Sequence, residues 1–348
     1  MAEARVIPLH AEPTRTAAPR GGTTVRPRKA GSTLPKGGEL APVRVVRRPV
    51  ASPTAEPLHL PGQGPEQRPA WEDRLADLLA FLRRRVTGDY EIDEFGFDRE
   101  FADHIVMPTL RPLYERWFRV ETLGMSNVPS TGGALLVANH SGTLPIDAMM
   151  TTVALRDHHP AARHLRMLGA DLLFRTPLLG SISRKAGHTL ACNPDAERLL
   201  NSKELVGVWP EGYKGVGKPF KDRYKLQRFG RGGFVSTAMR TGVPIIPCSI
   251  VGAEEIYPLI GDLKPIARLF GLPYFPITPT FPLLGPLGAV PLPSKWYIEF
   301  GEPIRTDRYS PADAEDPMLV FNVTDQVRET IQQTLYRLLS QRRNAFLG

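Results

Sequence analysis

Apolar and polar positions divide the chain into stretches of different period. Over residues 71–86, Trp71, Leu75, Leu78, Leu79, Leu82 and Val86 recur at helical spacing, while Arg74, Arg83, Arg84 and Arg85 occupy the other face. That pattern predicts an amphipathic helix. A second helical candidate covers residues 98–120, with Phe101, Ile105, Leu113, Trp117 and Phe118 apolar; Pro108 and Pro112 are expected to kink or divide it. From Gly133 onward, apolar runs of strand length alternate with helix-like segments. The strand candidates are residues 133–138, 165–169, 205–209, 244–251 and 296–300. Asn193 is expected to cap a helix, with Pro194 and Asp195 in its first turn. A helix over 234–240 should end at Gly242, which suits a C-terminal cap. Val320, Val323, Val327, Ile331, Leu335 and Leu338 mark a last amphipathic helix. The alternation predicts an α/β fold: a mostly parallel central sheet flanked by helices, preceded by amphipathic N-terminal helices. Residues 256–293 follow neither period. They are rich in Leu, Phe, Ile and Pro, with few charges.

Composition changes the picture at the N-terminus. Residues 1–70 hold twelve prolines and little apolar surface, so a disordered tail is expected there. They carry eleven Lys and Arg against five Asp and Glu, most of the formal net charge of +8. The basic character therefore belongs mainly to the tail, which argues against nucleic-acid binding by the body. The expected division is a tail over 1–70, a helical segment over 71–120, a core over 121–305 and a C-terminal helical segment over 306–348. Cys192 and Cys248 make no disulfide framework or metal-ligand spacing, which suits a reducing compartment. With no secretory signal and no long apolar run, the expected location is cytoplasmic, peripheral to the inner face of the cell membrane.

Candidate chemistry concentrates at two strand ends. The run Leu135-Leu136-Val137-Ala138-Asn139-His140-Ser141-Gly142-Thr143-Leu144-Pro145-Ile146-Asp147 reads as an apolar strand, a polar turn and a helix start. On one straight helix His140 and Asp147 would lie about 10 Å apart along the axis. A helix starting at Pro145 lets the turn bring His140 back beside Asp147. The pair then suits general-base chemistry: imidazole takes a proton, and the carboxylate fixes its tautomer. The second strand end is Val208-Trp209-Pro210-Glu211-Gly212-Tyr213-Lys214-Gly215. Parallel strands place both turns at one sheet edge, where α/β proteins bind ligands. There Glu211 is expected to hold an acceptor hydroxyl, and Gly212, Gly215 and Gly217 to let backbone approach it. Arg184, Lys185 and Lys214 are expected phosphate contacts within a wider basic set that includes Arg228 and Arg231. No metal is expected; His158, His159 and His164 read as a surface loop.

At these residues the sequence resembles the glycerolipid acyltransferase superfamily, which includes the lysophospholipid and 1-acylglycerol-3-phosphate acyltransferases. The resemblance rests on Asn139-His140 followed by Asp147, on Pro210-Glu211-Gly212, on Val243-Pro244-Ile245-Ile246-Pro247, and loosely on Ser183-Arg184-Lys185-Ala186-Gly187. Six residues separate His140 from Asp147, where the lysophosphatidic acid enzymes have four, and Tyr213 stands where those have Thr or Ser. The later run from Tyr224-Lys225 to Phe234 is closer to the monoacylglycerol and diacylglycerol acyltransferase branch. The resemblance implies attack of a lipid hydroxyl on a thioester, from acyl-CoA or acyl carrier protein, at the membrane surface and without a cofactor. The alternatives are a lipid hydrolase using Ser141, or a non-catalytic lipid-binding or membrane-scaffold protein.

Overall fold

The computed structural model describes residues 5–7 and 70–347. The expected tail lies outside the described residues apart from Ala70 and the strand Arg5–Ile7, which pairs in parallel with Glu91–Asp93. The first predicted helix is α1 (Ala70–Thr87). The second candidate is a continuous helical run over 99–117. Pro108 and Pro112 do not divide it. Wide turns at Ala102–Val106 and Leu113–Trp117 accommodate them, with Met107 N donating to Ala102 O and Phe118 N to Leu113 O. Such i→i+5 turns absorb the lost proline N–H without breaking the rod.

A seven-stranded sheet forms the centre. Its strands are β1 (Glu121–Leu123), β2 (Ala134–Ala138), β3 (Leu165–Gly169), β4 (Thr189–Leu190), β5 (Leu205–Val208), β6 (Ile245–Val251) and β7 (Tyr297–Phe300). The order is β1-β7-β6-β2-β5-β3-β4. The five strands from β6 to β4 are parallel, and β7 and β1 run antiparallel to them. All five predicted strands are present within a residue or two of their expected bounds. The short strands β1 and β4 had no distinct apolar run to announce them.

Both faces of the sheet are covered. Along β2, Leu136 and Ala138 enter one core and Leu135 and Val137 the other, as a period of two requires. The first core takes the run over 99–117 and α2 (Ile146–His158). The second takes α5 (Asn193–Asn201), α7 (Gly233–Thr241) and α9 (Pro317–Gln341). Between them in sequence lie α3 (Asp171–Arg175), α4 (Leu179–Lys185), α6 (Tyr213–Val216) and α8 (Lys264–Leu269). All six apolar positions predicted for the last helix are buried against the sheet. That helix therefore completes the core, and the expected boundary at residue 305 marks no break. At α5 the boundary residue is Cys192, one earlier than expected; Asn193 is already helical and makes no cap bond. The cap at Gly242, with φ of 65°, is as predicted.

Candidate active site

The end of β2 is pinned before the chemistry begins. Asn139 leaves the strand and completes the ladder with its side chain: Nδ2 donates to Ile250 O (3.0 Å) and Oδ1 accepts from Ile250 N (2.7 Å). The next residue is His140. The turn that follows uses two left-handed residues, Gly142 (φ 91°) and Thr143 (φ 63°). A Cβ at Gly142 would lie 2.7 Å from Ala253 O, so the turn fits only glycine there. The Tyr274 hydroxyl donates to Thr143 O from outside the turn. Helix α2 then starts at Ile146, one residue after the expected Pro145, which is its cap, and Asp147 falls in its first turn.

This turn closes the six-residue gap. His140 Nδ1 lies 2.7 Å from Asp147 Oδ2. The same oxygen accepts from Ser141 N (3.0 Å), and Oδ1 accepts from Ala148 N (2.8 Å). Asp147 is fully buried, whereas the His140 side chain is 15% exposed. A carboxylate can only accept, so Nδ1 carries the hydrogen and Nε2 of the neutral ring is left as a base. Ser141 is fully buried and its Oγ has no partner among the described residues. It makes no hydrogen bond with the imidazole, which removes the basis for a serine hydrolase.

The second turn follows β5, the neighbour of β2, in the register Val137 to Val208. Both motifs thus sit at the carboxyl edge of adjacent parallel strands. Glu211, however, does not stand free for a substrate hydroxyl. Its Oε1 accepts from His140 N (2.9 Å) and its Oε2 from Gln227 N (2.6 Å). It braces the backbone of the histidine. Behind it, buried Lys218 reaches Glu211 Oε2 (3.8 Å) and Glu254 Oε1 (2.8 Å). Burial pushes the Glu211 carboxyl up against the pull of Lys218, and raises Glu254 to about 7. Gly215 also serves the histidine, since a Cβ there would meet His140 O at 2.7 Å and His140 Cβ at 2.9 Å.

The predicted basic contacts separate. Lys214 lines a recess of about 480 Å³ with Pro210, Glu211, Tyr213, Arg228, Gly230 and Arg231. Arg184 and Lys185 are not brought to it. They precede β4, the outermost strand, with β3 and β5 between it and β2. The Arg184 guanidinium lies 4.7 Å from the centre of the Phe174 ring, and Lys185 Nζ 5.6 Å from that of Phe101. Gly187, three residues after Arg184, faces Phe97. The three histidines do not form the expected surface loop: His158 ends α2 and stacks on Tyr114, while His159 and His164 are buried, beside Val128 O and Asp103 respectively.

The family model described as Acyltransferase matches residues 119–251, which contain His140, Asp147 and Glu211. Uncharacterized proteins of Mycobacterium bovis and Mycobacterium tuberculosis are 56% identical over 99% of this chain and 98% of their own. The chain belongs to the acyltransferase family. A further relative, an uncharacterized protein of Mycobacterium leprae, is 62% identical over 79% of this acyltransferase and 75% of its own length. Among solved structures, the 1-acyl-sn-glycerophosphate (LPA) acyltransferase PlsC of Thermotoga maritima matches with a TM-score of 0.44 and 18% identity, over 77% of this chain and 97% of that one.

Several residues around the acyltransferase site carry no sequence signal of their own. Gln227, Glu254 and Tyr274 act on the two motif turns, Glu254 through Lys218, with partners 16 to 131 positions away in sequence. Each is an ordinary polar residue locally, and only folding gives it a partner. Lys218, Arg228 and Arg231 did stand in the wider basic set, where the cations looked alike; Lys218 is buried behind Glu211, apart from the other two. The structure selects them by the recess they share with Lys214.

Proposed function

We propose that this acyltransferase moves a fatty acyl group from a thioester to a hydroxyl of a glycerolipid at a membrane surface. The observation that carries the proposal is the buried Asp147 carboxylate bonded to His140 Nδ1, with the ring itself partly open. The acceptor O–H gives its proton to Nε2 as its oxygen attacks the thioester carbonyl carbon. The imidazolium that forms is stabilised by Asp147. The tetrahedral intermediate then collapses: the C–S bond breaks, the ester forms, and the departing thiolate takes the proton back from Nε2. No covalent enzyme intermediate is required.

The recess beside Glu211 supports a phosphate-bearing substrate. Lys214, Arg228 and Arg231 line it, and none has an ion-pair partner among the described residues. Acyl-CoA and a lysophospholipid both carry phosphate. The surface reading is supported by exposed leucines on α1 and by exposed Leu269, Phe270, Leu283 and Leu287 within residues 256–293. No helix among the described residues is long and apolar enough to cross a membrane.

The test is a transfer assay. Purified protein is given labelled acyl-CoA, or acyl carrier protein loaded with the same chain, together with lysophospholipids, monoacylglycerol, diacylglycerol and glycolipids. Ester product with one acceptor class, abolished in His140→Ala, is expected. Free fatty acid as the sole product would overturn the reading.

A further inference from the structure

A second cationic hollow shares no lining residue with the recess beside Glu211. It has a volume of about 430 Å³ and is lined by the 223–225 segment, Glu255, the end of α9 and the residues after it. Four cations border it: Arg223, Lys225, Arg342 and Arg343. We infer that this hollow is a phosphate-binding site.

The charges leave room for an anion. Glu255 is the only carboxylate in the lining, and both its oxygens are engaged. Oε1 accepts from Arg342 Nη1 (3.0 Å), and Oε2 accepts from the Tyr224 hydroxyl (2.5 Å). Lys225 has only a 3.7 Å contact with Asp222, itself partly exposed. Arg223 and Arg343 have no ion-pair partner among the described residues, and Arg223 is held over the Phe220 ring at 4.6 Å.

The floor is built and fixed. The Arg342 side chain is only 4% exposed, and its Nη2 donates to Lys295 O (2.8 Å) and Ala345 O (2.5 Å). Its Nε is buried without a hydrogen-bond partner among the described residues. An unmatched donor on a locked guanidinium, ringed by three exposed cations, suits the several oxygens of a phosphate. The phosphate belongs either to a lipid headgroup, for which exposed Tyr336 and Leu347 nearby would meet acyl chains, or to a soluble anion.

The experiment uses the full chain. Inorganic phosphate is titrated calorimetrically, and flotation is measured with phosphatidylcholine vesicles containing or lacking phosphatidic acid. The variant R223Q/K225Q/R343Q removes the three exposed cations. The variant K264Q/R305Q/R308Q removes as many exposed cations elsewhere. Equal melting temperatures establish that both fold. The first variant is expected to bind about tenfold or more weakly than wild type, because charge-assisted bonds are lost. The second, and His140→Ala, should bind as wild type, which keeps this test separate from that of transfer. Calorimetric binding assigns the site to a soluble anion, and flotation without it assigns the site to the headgroup; either supports the inference. Absence of both in wild type, or equal binding by the two triple variants, overturns it.

Discussion

At the scale of residues, the site rests on one hydrogen bond and on the groups that hold its two ends. Asp147→Asn keeps the size of the side chain but presents either an amide N–H or a weaker neutral acceptor to His140 Nδ1. The tautomer with Nε2 as base is then no longer favoured. The expected loss in kcat is about 10²–10⁴-fold with little change in KM. Steady-state kinetics on folded variant would check it, and unchanged turnover would remove Asp147 from the mechanism. Gly215→Ala approaches the same bond from behind. Its new methyl would sit 2.7 Å from His140 O and 2.8 Å from Glu211 Cβ, so the histidine turn must shift. A fall in kcat of at least about tenfold is expected, since sub-ångström misplacement of a base is costly. If Gly215→Ala turns over normally, the packing around His140 is more yielding than the contacts imply. These residues also mark how far the chain can be read unfolded. His140 and Asp147 were legible because a strand end and a helix start lie in one short segment. Glu211 was legible as a site residue, but not as a brace: nothing near it in sequence shows that a backbone N–H seventy-one positions earlier would claim one oxygen.

At the scale of elements, apolar periodicity placed the five longer strands of the central sheet and the longer helices, missed the short ones, and could not tell what a helix covers. The last helix buries all of its predicted stripe. The α1 stripe differs, because Leu75, Leu78, Leu79, Leu82 and Val86 are 40–82% exposed. The pattern alone cannot distinguish the two, since burial against protein and against lipid demand the same spacing. Among the described side chains of this helix only Phe81 is buried; it stacks on His104, and Arg85 lies over its ring. Thus α1 is attached along one line and offers its leucines outward. Leu79→Ser with Leu82→Ser should therefore leave the melting temperature within about 2 °C, the response to small surface changes. The same pair should cut recovery with phosphatidylcholine vesicles severalfold, as the loss of buried apolar area on lipid requires. A large drop in melting temperature would instead mean that the leucines cover protein. The short strands β1 and β4 were missed for a related reason: three and two residues cannot display a period.

At the scale of the whole molecule, proton linkage joins the buried network behind the site to a distant edge of the sheet. Burial raises Glu254 from its ordinary 4.5 to about 7, so between those values the native protein holds a proton that the unfolded chain has released. Its contribution is full below about 4.5 and is lost as pH rises through about 7. Glu211 is raised in the same sense. Burial lowers His188, beside β4, from its ordinary 6.5 to about 4, so there the unfolded chain holds the extra proton. Its contribution is full above about 6.5 and is lost as pH falls through about 4. Between about pH 4.5 and 6.5 the two slopes oppose each other, each near ~1.4 kcal/mol per pH unit for a one-proton difference. Glu211 adds to the falling side, so wild-type stability should decline gently with pH across that window. Removing one partner exposes the other. Glu254→Gln should make the slope of urea-unfolding stability against pH more positive, and His188→Gln should make it more negative. The ordering of the three slopes matters more than their absolute values, because each substitution also changes stability at every pH. Three parallel curves would show that neither group titrates differently in the folded and unfolded chain, and would return the Lys218–Glu254 pair to the status of an ordinary ion pair.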